Sequence, residues 1–188
     1  SLYYFLWKYD RITKDELDSY CQEGSKWIGL AEPIHPDISL AGGSMGLGFP
    51  GAVGLALAKK LKKEEGKVYV LLSDGETQCG TFHETSLIAF HHNIDNLIII
   101  IDWNRLQAMG SIENILNVPL GLMGHQIDGH NYIEIEQQLH SHEGRPRFLV
   151  ARTIKGKGWK RAENNNIYHY KSPSHEEYLE AKKELENA

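Results

Sequence analysis

Apolar and polar positions along the chain follow two periods, one typical of buried strands and one typical of helices. Short apolar runs at residues 67–73, 97–102 and 147–153 have the length and composition of strands. Helical spacing of apolar residues predicts helices over residues 46–63, 80–92, 132–140 and 175–185. Because strands and helices alternate, the pattern indicates an α/β fold, a doubly wound and mostly parallel sheet with helices on both faces.

Two of the predicted strands should lie in the core. The run LIIIID at residues 97–102 is apolar at successive positions, as is typical of a parallel strand covered by helices on both faces. The run KVYVLLS at residues 67–73 is also expected to be a buried strand.

The segment before the first strand contains two predicted helices and a loop. The chain begins with apolar residues on one helical face, Leu2, Tyr3, Phe5, Leu6 and Tyr9. Thr13 and Glu16 have the spacing of a capping box, which predicts a second helix that ends near Cys21. Prolines and several glycines predict a loop over residues 24–43.

The predicted helix at residues 46–63 is rich in glycine and alanine at its start, GLGFPGAVGLALA. Glycine lowers helix propensity, and it is tolerated where another helix or a ligand must approach closely. A dinucleotide-binding loop is one alternative. The glycines of GSMGLG run in the reverse order of that fingerprint and follow no convincing strand, so a dinucleotide site is not favoured.

Composition and charge exclude several classes of function. The 188 residues suit one domain, and the net charge of −5 provides no basic field for nucleic acid or an anionic membrane. Cys21 and Cys79 form no C-x-x-C pair, so neither a zinc site nor a disulfide framework is expected. The longest apolar run is too short to span a bilayer. We therefore expect a cytoplasmic protein with reduced thiols.

Polar residues follow two of the predicted strands where each strand ends. Asp74 and Gly75 follow the first strand, and Asn104 and Leu106 follow the second. Ligands of open parallel sheets bind at the carboxyl ends of strands, and oxygen ligands suit Mg²⁺ or Ca²⁺. Each cluster alone is more often a plain turn or a helix cap. Together, the two strand ends predict a divalent metal site that also holds a diphosphate.

A longer stretch around these residues resembles a known family. Residues 73–107, SDGETQCGTFHETSLIAFHHNIDNLIIIIDWNRLQ, resemble the thiamine-diphosphate motif of transketolases, which begins Gly-Asp-Gly-Glu and ends Asp-x-Asn-Gly-Leu-Gln. The thirty-residue separation of Asp74 and Asn104 matches the family spacing. Further segments are similar to the family, namely GGSMGLGFPG, DGH at 128–130, TIKGKG at 153–158 and HYKSP at 169–173. The similarity thus runs from about Leu2 to Leu185.

The resemblance implies a metal and diphosphate site with named ligands. Asp74, Asn104 and the backbone carbonyl of Leu106 would bind Mg²⁺ or Ca²⁺. The Gly75 amide would meet the diphosphate of thiamine diphosphate.

The resemblance also implies contacts with the rest of the cofactor. Gly43 and Met45 would lie against its aminopyrimidine ring, and Ile154 would form an aliphatic wall beside it. His169 would face the diphosphate and the reacting thiazolium, where it could move a proton.

As a family member, the chain would be the N-terminal half or subunit of a transketolase-like enzyme, which transfers a two-carbon ketol unit between sugars, expected to be sugar phosphates. Residues 1–188 would form a single thiamine-diphosphate-binding domain, lacking an N-terminal segment and the pyrimidine-binding domain. A complementary C-terminal-type subunit would supply the activating glutamate in a hetero-oligomer, a dimer of heterodimers. Two alternatives stay open: another thiamine-diphosphate enzyme, such as a deoxyxylulose-phosphate synthase or dehydrogenase subunit, and a non-catalytic cofactor-binding paralogue.

Several features depart from the family pattern. Ser73 replaces the first glycine of Gly-Asp-Gly, which is harmless if this position keeps a negative φ. Cys79 replaces a glutamate near the family's subunit contact and is expected to be a buried small residue. Leu30 stands where the family carries a histidine, and a shorter segment between Gly110 and Asp128 predicts a trimmed helix.

Overall fold

The computed structural model describes residues 2–114, 124–141 and 144–187. Its strands are β1 Val68–Ser73, β2 Leu97–Trp103, β3 Leu106–Gln107, β4 Gly110–Ser111, β5 His125–Asp128 and β6 Arg147–Arg152. Its α-helices are α1 Leu2–Lys8, α2 Lys14–Asp18, α3 Gly48–Lys62, α4 Gly80–His91, α5 Tyr132–His140 and α6 His175–Glu186. Within these residues, a parallel sheet has the order β1-β2-β6-β5, and β3 pairs antiparallel with β4.

The larger core lies on the face of the sheet that α3 and α4 cover. Phe49 of α3 and Phe82 of α4 pack with Leu72, Ile99 and Val150 from three neighbouring strands. Apolar surface removed from water at these positions is the main term that stabilises the domain. Packing on this face also holds β1 and β2 in place, and Asp74 and Asn104 directly follow these two strands.

Helix α5 covers the opposite face of the sheet. Its Ile135 and Leu139 pack on Ile98, Ile127 and Leu149 from β2, β5 and β6. Because helices lie on both faces, β2 must be apolar at successive positions, and Ile98 and Ile99 are both fully buried. The predicted doubly wound α/β class is confirmed.

Strand β1 is an edge strand with one buried face. Val70 and Leu72 are buried against α3. Tyr69 and Leu71 are 51% and 71% exposed, so the prediction that the whole run 67–73 is buried is wrong for this face. The physical reason is that α5 packs on side chains of β2, β5 and β6, beside β1.

The N-terminal segment builds a smaller core of its own. Tyr3 and Leu6 of α1 pack with Ile12, Trp27 and Ile38 from the following segment. The capping box of Thr13 and Glu16 is present as predicted, and the helix that it begins ends at Asp18, earlier than expected. The outward face of α1 is less buried than its pattern suggested, since Phe5 and Tyr9 are exposed.

The major helices agree with the sequence prediction to within two residues at each end. The short elements β3, β4 and β5 were not predicted, because each contains too few apolar residues to show a period; Ile127 is the buried side chain of β5. The trimmed helix expected between Gly110 and Asp128 falls largely outside the described residues. In the part of the chain that the structure describes, no helix has the length and apolar character needed to cross a membrane.

Candidate functional site

The sheet register brings the two polar strand ends to the same edge. Ser73, the last residue of β1, pairs with Asp102 near the end of β2. Asp74 follows immediately and is 1% exposed, and Asn104 is 7% exposed. Both polar side chains are therefore held in the interior at the carboxyl end of the sheet, where open α/β sheets bind ligands.

A capping box fixes the turn that carries Asp74. Ser73 has a φ of −83°, and its hydroxyl accepts a hydrogen bond from the Glu76 amide while the Glu76 carboxylate accepts one from the Ser73 amide at 2.9 Å. This pair begins a short 3-10 helix over Asp74–Gln78. Ser73 thus meets the condition of a negative φ, and its hydroxyl has a structural use that glycine lacks.

One hydrogen bond joins the two strand ends directly. The Arg105 amide donates to Asp74 Oδ2 at 2.5 Å. Beside it, the Leu106 amide donates to Asn104 Oδ1 at 3.0 Å, which closes a tight turn. Arg105 makes this turn possible with a φ of 69°, in the left-handed region that favours glycine.

The Asp74 carboxylate lies in an environment that disfavours its charge. Burial raises the pKa of Asp74 above its usual value, and the charge of Asp102 adds to the rise. Hydrogen bonds from the Arg105 and Gly75 amides, and the charge of Lys155, lower the same pKa but do not cancel the effect of burial. A cation bound at this carboxylate would restore the charged form.

The ligand set at this edge fits a hard divalent cation bound together with a phosphate group. Asp74 supplies carboxylate oxygen and Asn104 supplies amide oxygen, both preferred by Mg²⁺ and Ca²⁺. Among the described residues, no group of three or more His, Cys, Asp or Glu side chains could hold a metal. The protein thus offers part of a coordination shell, and oxygens of a ligand and water must complete it, as is usual for Mg²⁺.

Gly75 and the glycine-rich segment before α3 meet at this site. A Cβ at Gly75 would lie 3.3 Å from Gln107 Oε1 and 3.8 Å from Met45 Cε. The Gly46 amide donates to Glu76 Oε1 at 3.3 Å, which ties the segment to the 3-10 helix. Met45 therefore lies beside Gly75, and its side chain is 60% exposed.

Gly43 packs against Leu30 and not against Gly75. A Cβ at Gly43 would be 3.2 Å from Leu30 Cδ1, so this glycine packs against the residue that stands in place of the family histidine. Both residues are exposed. Cys79, which was expected to be buried, is only half-buried, and it begins α4 beside Gly46.

Ile154 and His169 belong to the segment that follows β6. The Ile154 amide donates to His130 Nε2 at 2.8 Å, and the Thr153 hydroxyl donates to Asp102. His169 is exposed at the end of a short 3-10 helix, and partial burial together with the charge of Lys155 lowers its pKa. The charge of Lys155 lowers the pKa of both Asp74 and His169, so its ammonium group lies within electrostatic reach of both side chains.

Three further residues belong to the site and were not assigned from the sequence. Gln107 is buried and donates to Gln78 Oε1 at 3.1 Å, which joins β3 to the 3-10 helix. The charge of Lys155 acts on Asp74, and Arg105 contacts Asp74 through its main-chain amide. A sequence signal existed only for Gln107 and Arg105, which stand within the run DWNRLQ.

Comparison with known proteins agrees with this geometry. Residues 2–186 match the family model of the transketolase thiamine diphosphate binding domain. The chain is 35% identical to one of the subunits of apulose-4-phosphate transketolase from Actinobacillus succinogenes, over 94% of this chain and 68% of that subunit. It is 33% identical to the 6-deoxy-6-sulfo-D-fructose transketolase subunit SqwG of a Clostridium species, over 84% of this chain and 64% of that subunit.

A solved structure has the same architecture. Transketolase from Campylobacter jejuni superposes with a TM-score of 0.81 at 27% identity, covering 92% of this chain and 30% of that one. The chain therefore spans about two thirds of the length of the curated subunits and under a third of the solved enzyme.

Proposed function

Because the chain belongs to the transketolase family, in its thiamine-diphosphate-binding domain, we propose that it is the N-terminal subunit of an enzyme that transfers a two-carbon ketol unit between sugars. The proposed cofactors are thiamine diphosphate and Mg²⁺. The observation that carries the proposal is the hydrogen bond from the Arg105 amide to Asp74, which brings the two proposed metal-binding strand ends together.

Each proposed ligand has a defined task at the carboxyl end of the sheet. Asp74, Asn104 and the Leu106 carbonyl hold the metal, and the metal offsets the negative charge of the diphosphate. Gly75 has no side chain, so a diphosphate oxygen would be able to approach the backbone of this turn closely. When bound, thiamine diphosphate supplies carbanion and electron-sink chemistry.

Met45, Gly43 and Ile154 are proposed to contact the rings of the cofactor and to exclude water from them. Met45 is supported by its position beside Gly75, and Ile154 by the hydrogen bond that anchors its amide to His130. The exposed part of Met45 is the surface that a bound ring would cover.

His169 is proposed to carry a proton near the reacting carbon. Its lowered pKa keeps the imidazole neutral at neutral pH, so its free ring nitrogen can accept a proton. The positive charge of Lys155 disfavours the protonated form, and this makes the same ring a ready donor once it is charged.

We propose that a second polypeptide completes the active site. The relatives at 35% and 33% identity are named as subunits, which supports an assembly from complementary chains. The partner would be a C-terminal-type subunit that supplies the activating glutamate, in a dimer of heterodimers within the cytoplasm.

The proposed substrate class is an anionic sugar, either a sugar phosphate or a sugar with a comparable charged group. Two relatives are named for apulose-4-phosphate and for 6-deoxy-6-sulfo-D-fructose, and both names describe a small sugar with one anionic end. Part of the site that recognises this anion would belong to the partner.

The test is a turnover assay with the partner subunit, thiamine diphosphate, Mg²⁺ and paired ketose and aldose substrates. Wild-type chain with partner should transfer the ketol unit, and Asp74→Ala should not. Asp95→Ala is the matched control. Asp95 pairs with Lys60 and lies just before β2, at the amino end of the strand, whereas Asp74 lies at the carboxyl end of the sheet. A complex that binds the cofactor but transfers no ketol unit to any acceptor would support a non-catalytic paralogue instead.

A further inference from the structure

Arg105 is a long cationic residue in a backbone conformation that favours glycine, and it stands at the candidate site itself. Its φ is 69°, where a Cβ is unfavourable relative to glycine. This conformation belongs to the turn in which the Leu106 amide donates to Asn104 Oδ1. Arg105 takes part in the turn with its main chain alone, so glycine would form it with less strain. A function of the side chain is one reason for which a strained residue is kept at a binding site.

The side chain of Arg105 has no protein partner in the described part of the chain. The guanidinium is exposed, and it makes no hydrogen bond or ion pair with any residue that the structure describes. By contrast, Arg161 pairs with Glu180 and Lys171 pairs with Glu177. The charge at position 105 is thus available to a ligand.

The charges around Asp74 indicate what kind of ligand this is. A second carboxylate, Asp102, is paired across the sheet with Ser73, the residue before Asp74, so one divalent metal would neutralise only the protein's own carboxylates. A diphosphate bound to the same metal would then leave a negative excess. Lys155 supplies one nearby positive charge, and Arg105 would supply another in the planar form that matches phosphate oxygens.

We propose that the Arg105 guanidinium binds a phosphate oxygen of the cofactor's diphosphate, as a second cation beside the metal. This inference rests on the proposed function, and it adds a ligand contact that the Asp-x-Asn-Gly-Leu-Gln pattern of the family lacks.

Lys63 provides a matched control within the same chain. It is also a cationic residue with a left-handed backbone, φ 58°, and it is also exposed. Its conformation ends α3, and its amide donates to the Lys59 and Lys60 carbonyls. It precedes the amino end of β1, whereas Asp74 follows the carboxyl end of the same strand.

The experiment compares Arg105→Gly, Arg105→Lys and Lys63→Gly with the wild-type chain. Thermal unfolding without cofactor should show both glycine variants raised in Tm by about 2 to 4 °C, because glycine relieves the left-handed strain. Calorimetric titration with thiamine diphosphate in excess Mg²⁺ should show binding weakened about tenfold by Arg105→Gly and unchanged by Lys63→Gly. The affinity of Arg105→Lys should lie between those of the wild type and Arg105→Gly, since lysine keeps the positive charge but lacks the paired N–H donors of the guanidinium.

Magnesium pyrophosphate serves as a second probe, because it carries the diphosphate without the rings. If Arg105→Gly binds both thiamine diphosphate and magnesium pyrophosphate more weakly than the wild-type chain does, the contact is with the diphosphate. Equal affinity of wild type and Arg105→Gly for thiamine diphosphate would overturn the inference and leave the proposed function intact. Absence of Mg²⁺-dependent binding by the wild-type chain, alone and with its partner, would overturn both.

Discussion

The Arg105 amide and the Asp74 carboxylate, 31 positions apart in sequence, are joined by a hydrogen bond of 2.5 Å. This contact links the two segments that follow the carboxyl ends of β1 and β2. The site is thus shaped by the fold before any ligand binds, which lowers the entropy cost of binding.

Ser73 should contribute to cofactor binding through the turn that it caps. Ser73→Ala removes the hydroxyl that accepts the Glu76 amide, and we expect a loss of about 1 kcal/mol in the free energy of unfolding. Binding of Mg²⁺ and thiamine diphosphate should weaken as well, because the same turn carries Asp74 and Gly75. Urea denaturation and calorimetric titration measure the two effects.

Thr13 is the control for this prediction, since it forms the same capping box with Glu16 at the start of α2. Thr13→Ala should lose comparable stability and keep its affinity for the cofactor. Equal weakening of cofactor binding in both variants would show that Ser73 acts only through global stability.

Ile99 should tolerate no charge. It is fully buried in the centre of β2, and Ile99→Asp would place an unpaired carboxylate in the main core. We expect a loss of at least about 4 kcal/mol, which is a large part of the stability of an ordinary domain, and an unfolded or aggregated product by circular dichroism. The control is Leu71→Asp on neighbouring β1, where the side chain is 71% exposed and the variant should fold normally.

Glu177 should hold the segment that carries His169. Its carboxylate accepts hydrogen bonds from Lys171 Nζ at 2.7 Å and the Tyr168 hydroxyl at 3.0 Å. The Lys171 ammonium, together with the Ser174 amide, lowers the pKa of Glu177 to about 2. Glu177→Gln should therefore speed hydrogen exchange of amides at residues 166–171, and Glu186→Gln, which removes a looser pair with Lys182, should not.

The pH dependence of this clamp follows from the lowered pKa. A group with a lowered folded pKa contributes its stability above its unfolded pKa, about 4.3 for glutamate. The contribution is lost as pH falls through about 2. The difference in stability between wild type and Glu177→Gln should thus be constant near neutral pH and should shrink below about pH 4. A difference that grows on acidification would contradict the assigned ion pair.

Several elements and the strand-end pair could be predicted from the sequence because their signals are local or repeated. The run of isoleucines from Ile98 to Ile101 identifies a strand buried on both faces, and the capping residues at Thr13 locate the start of a helix. The positions of Asp74 and Asn104 at one edge of the sheet followed from a general rule for parallel sheets. All of these signals are contained in the order of residues along the chain.

Other features depend on contacts between distant segments, and no local pattern reveals them. The exposure of Tyr69 and Leu71 depends on which strands α5 covers. The hydrogen bond from the Arg105 amide to Asp74 joins residues 31 positions apart in sequence. The influence of Lys155 on both Asp74 and His169 depends on the path of the chain after β6.

Anomalous diffraction from crystals soaked with Mn²⁺ and thiamine diphosphate would locate the metal and its ligands directly. We expect one ion bound by an Asp74 carboxylate oxygen and Asn104 Oδ1 at about 2.1 Å, with diphosphate oxygens in the same coordination shell. A cofactor bound with its ion on other residues, or with no ion near Asp74, would contradict the proposed metal site.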